Sequence, residues 1–525
     1  VRLTLIGWLS AAGYAVAAFA LPQSNRTAHV VAFVGLFGLL FVLAGAALAP
    51  ARTTRTARAG ARSRVGTILL FAGLFRLLLV PAGLSAPLPL GEPGTASGRS
   101  TAPSRLDSRI DSLVDDLAGR RVGYDRHLLY DDDVWRYLWD GHVAAGGLDP
   151  YLASPRAIEA AAESGNPTAG ALLEDDPWWD VLDNVGFPTY RTVYPPAAQL
   201  LFRGAHAVAP GSVAFWKLLM ALLDLGTCLL LVRILGLLER PREEVLLYAW
   251  NPLAIKELAG SGHVDALMIF LVVLAVERLL AAGGGGEGRS GRQIAGLGAW
   301  AGAAVAKLGA LVLAPLVARR TRARWWWTAP AVLALLALPY RRGLPSLVDS
   351  LAIFGREWVA NAGVWAAVRW SAEALGAASP ETWAHALTRG ALLGLIGGLT
   401  WAVGAGGSED VEGGRRFVHA AFLALAAAVL LSPAVMPWYL LWALPLAVAA
   451  GYRSWWLLTG LSLLYYLVYA THTEALWWRW AEHGGFALAF AWEVWRNPGL
   501  AAELWSLIAP WSRGGPGAEA GRVAP

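Results

Sequence analysis

The chain reads as an all-α integral membrane protein. The expectation is about 13 transmembrane helices, some half-spanning, with a large exterior loop of helices between spans 3 and 4. Three observations predict this. The 525 residues are 56% hydrophobic and only 15% charged, whereas a soluble globular chain carries about 25% charged residues. Several apolar runs reach the roughly 20 residues that cross a bilayer. Of the 43 basic residues three are Lys and the rest Arg, gathered largely in short loops, the placement that marks cytoplasmic loops. A soluble enzyme, a secreted disulfide scaffold and a disordered chain are excluded. The formal net charge of +5 follows from those loops, so nucleic acid is not expected as a partner.

Apolar runs place spans near 3–21, 28–49, 66–84, 213–235, 244–259, 263–281, 325–340, 385–404, 416–432, 438–450, 455–470 and 484–495. Residues 1–21, with Arg2 and a terminal Ala18-Phe19-Ala20, resemble a signal peptide but read better as an uncleaved first span. The loop 51–64 holds Arg52, Arg55, Arg58, Arg62 and Arg64 and is expected inside. Span 66–84 then exits, 85–212 lies outside, and 213–235 returns to Arg240 and Arg242. Segment 294–318 has Arg on both flanks and, at about 1.5 Å per residue, is too short for two crossings. It predicts two half-helices broken around Lys307, which are tolerated only inside protein or along a cavity.

The chain therefore divides into a two-span segment with its basic loop (1–64), span 3 with an exterior loop (65–212) and central spans with the broken helix (213–342). An exterior loop (343–384), C-terminal spans (385–510) and a disordered tail (511–525) follow. Within the first exterior loop, 91–105 is a flexible Gly, Pro and Ser insert. Leu106, Ile110, Leu113, Val114 and Leu117 recur at helical spacing and predict an amphipathic helix on the membrane surface. The single cysteine, Cys228, rules out an internal disulfide and reads as a packing residue. Trp325 to Trp327, Trp455-Trp456 and Trp477-Trp478 fall near the ends of apolar runs, as interfacial belt residues do.

The segment that carries chemistry is Tyr130-Asp131-Asp132-Asp133-Val134-Trp135-Arg136-Tyr137-Leu138-Trp139-Asp140-Gly141. If helical from Asp132, it stacks Asp132, Arg136 and Asp140 on one face at i, i+4 and i+8. Gly146-Gly147 would end the helix, and Asp149-Pro150-Tyr151 would turn the chain back. Repulsion between adjacent carboxylates favours the neutral form of one, and Arg136 opposes this. A carboxylate held ionised here suits a general base. Taken alone, the cluster reads first as a solvated acidic turn. Four other segments change that weighting, all on the same side under the Arg-derived topology. They are the Pro-stiffened re-entry 190–202, the turn with Lys256, Glu257, His263 and Asp265, the stretch with Phe354, Arg356, Glu357, Trp358 and Asn361, and 431–439. Ionisable groups at membrane depth mark function by default. The plain alternative for Lys256–Glu257 is a pair snorkelling to the interface.

On DDDVWRYLWDGHVAAGGLDPY (131–151), TVYPPAAQLLF (192–202), WNPLAIKELAGSGHVDAL (250–267), FGREWVANAG (354–363) and LSPAVMPWYLLWALP (431–445), the chain resembles the GT-C class of polytopic membrane glycosyltransferases. Within it the chain is most similar to bacterial relatives of the GPI mannosyltransferase I and the polyprenyl-phosphate-dependent mannosyltransferases, from about residue 66 to 470. The resemblance implies a GT-C fold in the bacterial plasma membrane, with the active site on the exterior face. It also implies a polyprenyl-phosphate-linked sugar donor, a glycan or glycolipid acceptor and inversion at the anomeric carbon. The leading Asp of the family motif falls on Asp132, as base, with Asp133 beside it. Asp133 and Asp140 would tune that base and bind sugar hydroxyls. Lys256, Arg191, His263 or Arg356 would meet the phosphate, and Tyr194, Trp358 and Trp438 would stack on the sugar or guide the lipid, with belt residues as the equal alternative. Arg136, Glu257, Asp265 and Glu357 complete the substrate-binding set.

Val134 and Trp135 depart mildly from the usual bacterial spelling, and Met436 stands where relatives often carry His. The two Asp are adjacent, without the DxD spacing of the GPI enzyme, so no metal and no cofactor is expected. Mannose follows from the resemblance alone. A secondary transporter or flippase of a lipid-linked sugar also explains buried ionisable groups and broken helices. Transporters, however, commonly show internal repeats and midplane charges. No clear repeat is visible, and Lys307 is the main charge away from the exterior face. A membrane scaffold with a sugar-binding exterior domain is a third reading.

Overall fold

The computed structural model describes residues 2–21, 25–47, 55–85, 105–117, 123–124, 133–174, 176–284, 286–405, 410–468 and 476–508. Asp132, most of the 91–105 insert and the C-terminal tail lie outside these. The described chain is helical apart from a two-residue antiparallel pair, Leu84–Ser85 with Gly123–Tyr124. Six helices are long and apolar enough to cross a membrane: Leu3–Ala20, Arg26–Ala44, Val213–Leu237, Asp265–Gly283, Pro380–Gly404 and Val411–Leu430. Ala323–Tyr340 and Leu344–Glu357 make a seventh if their 100° bend falls within one span. This is the helix set of a membrane protein.

The longer list of apolar runs differs from this set for a physical reason. Run 244–259 is a 3-10 turn Arg242–Val245, short helices Leu246–Ala249 and Pro252–Ala254, and a π-helix Ile255–Gly260. Run 438–450 is a 3-10 segment Pro437–Trp442 followed by Leu444–Ala450. Pro252, Pro437 and Pro445 lack an N–H, so each helical piece restarts at or beside a proline. Apolar length does not separate such pieces from one straight span. Trp455 and Trp456 also differ from the expectation. Both are buried in the core, whereas Trp326, Trp327 and Trp477 are exposed.

Arg105–Leu117 forms as a helix, but it is docked and does more than lie on a surface. Asp116 accepts hydrogen bonds from Ser212 Oγ (2.5 Å), Ala214 N (2.8 Å) and Val213 N (3.3 Å). It therefore satisfies N–H groups at the start of Val213–Leu237 that have no partner within that helix. Val114 and Leu117 stay exposed.

Between the membrane helices lies a buried polar cluster. Arg76 donates from Nε to Asp224 Oδ2 (2.7 Å) and from Nη1 to the Ala72 and Ala249 carbonyls (2.9 and 2.8 Å). Tyr248 Oη donates to the other Asp224 oxygen (2.5 Å), and Cys228 Sγ lies 3.8 Å from Arg76 Nη2. Each buried charge has the partners that make its desolvation tolerable.

The expected break around Lys307 is present. The helix Arg289–Ala304 stops, Lys307 is extended (φ −157°, ψ 130°), and the chain resumes as a 3-10 segment Leu308–Leu313 and a helix Ala314–Arg320. The Val305 carbonyl, freed at the break, accepts from Ala197 N (2.8 Å). The break is thereby tied to the start of Pro196–Val208, where the Pro195-Pro196 pair leads the chain back.

Candidate active site

A cavity of about 1210 Å³ opens where the five chemistry-bearing segments meet. Its wall includes Asp133 and Arg136 from the acidic motif, Arg191 and Tyr194 from the re-entry, and Lys256 and Glu257 from the π-helix. Phe354 and Trp358, and Met436 and Trp438, are among the contributions of the other two segments.

The acidic helix runs Asp133–Ala145, with Asp133 in its first turn, where the helix dipole favours a carboxylate. It ends at the expected glycines, Gly147 taking φ +83°. Arg136 Nε bonds Asp140 Oδ1 at 2.9 Å, the predicted i,i+4 pair. Arg136 Nη1 reaches the Tyr190 carbonyl (3.1 Å), and its buried Nη2 has no hydrogen-bond partner among the described residues. Asp140 is buried behind the wall and accepts from Gln199 Nε2 (2.8 Å), which also reaches Thr192 Oγ1 (3.1 Å). Asp140 thus braces Arg136 and the re-entry segment and does not line the cavity. Gly141 permits the close crossing of the two helices, since a Cβ there would lie 2.6 Å from the Phe202 carbonyl oxygen.

Asp133 keeps 32% of its side chain exposed, and His263 Nδ1 lies 3.6 Å from its Oδ2. Tyr137 Oη lies 3.3 Å from the same oxygen. On the far side, His263 Nε2 is 3.2 Å from Glu257 Oε2. Glu257 Oε1 accepts from Lys256 Nζ (2.8 Å) and closely from Tyr466 Oη. Lys256 also sits 3.9 Å above the Tyr466 ring. His263, 1% exposed, stacks on Trp438 with ring centroids 4.2 Å apart. Burial raises the Asp133 carboxyl. The hydrogen bond and charge of His263, then Lys307 and Tyr194, outweigh it and hold Asp133 below the usual carboxylate range.

His263 and Asp265 stand behind the cavity wall. Asp265 accepts from Lys307 Nζ (2.8 and 2.7 Å) and from Trp442 Nε1 (2.6 Å). Lys256–Glu257 is a buried pair, not a snorkelling one. Arg356 and Glu357 are exposed and off the wall; Glu357 accepts from Tyr190 Oη at 3.2 Å. Trp358 stacks on Phe354 (5.1 Å) and meets Tyr190 edge-on (5.5 Å). The segments around Asn361 and Met436 are joined directly. Val435 N bonds the Ala360 carbonyl (2.8 Å), and Asn361 Nδ2 bonds the Val435 carbonyl (3.3 Å) and Glu482 (3.0 Å). Asn361 takes φ +48° to do so.

Sequence reasoning left Lys307, Tyr439, Trp442 and Tyr466 out of the site, yet all four line the cavity. The signal for Lys307 was present: a lysine at the break of an apolar helix. Among the described residues no group of three or more His, Cys, Asp or Glu is placed to hold a metal ion.

Residues 129–323 match the family model of the MptA_B family, alpha-(1->6)-mannopyranosyltransferase, N-terminal domain. Over that stretch, somewhat over a third of its length, the chain is similar to this mannosyltransferase family, which supports a relationship to the polytopic GT-C enzymes. The matched stretch holds the acidic helix, Tyr194, the Lys256 to Asp265 turn and Lys307; Trp358, Trp438 and Tyr466 lie beyond it. No curated protein and no solved structure matches the chain.

Proposed function

We propose that the protein is an inverting GT-C mannosyltransferase of the bacterial plasma membrane. It moves mannose from a polyprenyl-phosphate donor to a glycan or glycolipid acceptor at the exterior face. The observation that carries this reading is the convergence of five distant segments on one cavity. That cavity combines an ionised carboxylate, cations and an apolar wall, the three surfaces that a hydroxyl acceptor, a phosphate and a lipid chain need.

A carboxylate of the Asp132–Asp133 pair takes the proton of the acceptor hydroxyl as its oxygen attacks the anomeric carbon. The bond from that carbon to the phosphate oxygen breaks, and polyprenyl phosphate leaves with the electron pair. One displacement inverts the configuration. Sequence resemblance favours Asp132 as the base. Asp133 lines the cavity, and His263 beside it favours its ionised form. Aromatic faces at Tyr194, Trp358 and Trp438 are suited to the apolar side of a hexose. No metal or cofactor has a part in this reading.

The test presents polyprenyl-phosphate-linked mannose, glucose and arabinose separately with a lipoglycan acceptor and measures released polyprenyl phosphate. Release from the mannose donor alone is expected. Asp132→Asn and Asp133→Asn each keep the side-chain shape and remove a base. The variant that loses turnover by about a hundredfold or more, the scale of general-base catalysis, identifies the base. Undiminished release in both variants overturns the assignment. The broken helix at Lys307 also suits a flippase. That reading predicts donor movement across a vesicle membrane with no released phosphate.

A further inference from the structure

We propose that Lys307 is the cation that receives the phosphate of the lipid donor and of the departing product. The inference rests on the transfer reading above and specifies one end of its site.

A helix broken inside an apolar segment exposes backbone groups that lipid cannot satisfy, so the break belongs against protein or a cavity. Here it does both. The Val305 carbonyl is taken up by Ala197 N, and two residues later Lys307 enters the cavity wall. The sequence at the break places a charge there, although an apolar residue would pack at lower cost.

The ammonium is held in a fixed position. Two of its three N–H donors go to the two oxygens of Asp265. Asp265 is itself fixed by Trp442 Nε1 and by its place in the first turn of Asp265–Gly283. Tyr439 and Trp442 present their rings 4.8 and 5.5 Å from Lys307 Nζ. One donor remains for the cavity, and the Lys307 side chain is 17% exposed. Lys256 contrasts with it: its side chain is 1% exposed and its ammonium is bonded to Glu257.

The neighbours of Lys307 fit the rest of the ligand. Leu308 and Gly309, the next residues in the chain, line the same cavity, as do the apolar Leu351 and Val429, a surface suited to the first units of an isoprenoid chain. At Gly309 any side chain would run into the Trp442 ring, so the glycine lets that ring pack directly on the backbone beside Lys307. Asp133 lines the same cavity and is close enough for Lys307 to help keep it ionised. A base and a phosphate cation thus share one chamber. As the glycosidic bond breaks, negative charge grows on the phosphate, and a preorganised ammonium stabilises it without reorganising.

The experiment titrates purified full-length protein with a short polyprenyl phosphate and with the matching polyprenol, by calorimetry. Wild type is expected to prefer the phosphate. Lys307→Gln should lose about tenfold to a hundredfold of phosphate affinity, the scale of one charge-assisted hydrogen bond. Its polyprenol affinity should not change, which also shows that the variant is folded. Lys307→Arg should retain the preference. An undiminished preference in Lys307→Gln overturns the assignment while leaving the donor class intact. No preference in wild type overturns both the assignment and the phosphate-carrier reading.

Discussion

At the scale of single residues, Asp133 and His263 form the most consequential pair. Burial by itself would push the Asp133 carboxyl up, and the imidazole is the main influence holding it down. In His263→Asn that influence is lost and burial remains, so the Asp133 pKa rises. The acid limb of the kcat/KM profile should therefore move to higher pH, with the loss of activity concentrated at low pH. A profile of unchanged shape would show that His263 only packs. Glu257 and Trp438 hold the imidazole from its other edge and face. The pair was half legible in the sequence: Asp133 was selected as catalytic beside Asp132, and His263 as a phosphate or substrate contact, but not their pairing. Spacing along a chain does not say which of two polar residues faces a cavity and which stands behind it.

At the scale of elements, the acidic helix and its partner Pro196–Val208 set the geometry of the wall. Their crossing is so close at Gly141 that no Cβ fits against the Phe202 backbone. Gly141→Ala should force the helices apart and disturb Asp133 and Arg136 together. Overpacking of this kind costs about 1–3 kcal/mol. Donor turnover should fall far more than thermal stability in detergent, and wild-type turnover in that variant would refute the coupling. The helix, its glycine end, the turn at Asp149 and the break at Lys307 were all legible, because each has a local signature. The π-helix Ile255–Gly260 and the 3-10 segment Pro437–Trp442 were not. Both read as apolar span, and their winding is decided by the groups they must satisfy, not by hydropathy.

At the scale of the whole molecule, ion pairs such as Arg76–Asp224, Lys307–Asp265 and Arg233–Glu277 join segments distant in sequence. None was foreseen, since pairing across the bundle leaves no periodic trace. The first is fully buried, and truncating one partner strands the other. Arg76→Met should destabilise the protein by about 3–5 kcal/mol, read as a lowered thermal midpoint in detergent. Arg76→Met with Asp224→Leu should recover a good part of that loss. If the double variant is no better than the single one, the cluster has a role beyond charge compensation.

The winding of Ile255–Gly260 has a hereditary side. A π turn takes about one residue more than an α turn, and each α-helical residue rotates the chain by about 100°. Lys256 and Glu257 sit within this turn and His263 just beyond it, so their mutual aim depends on a supernumerary residue. Such a residue is gained or lost in one codon. An ancestor lacking it would keep every apolar crossing and yet point its histidine elsewhere. The polar wall can therefore arise or vanish in a lineage by a single insertion or deletion, with the hydropathy profile almost unaltered.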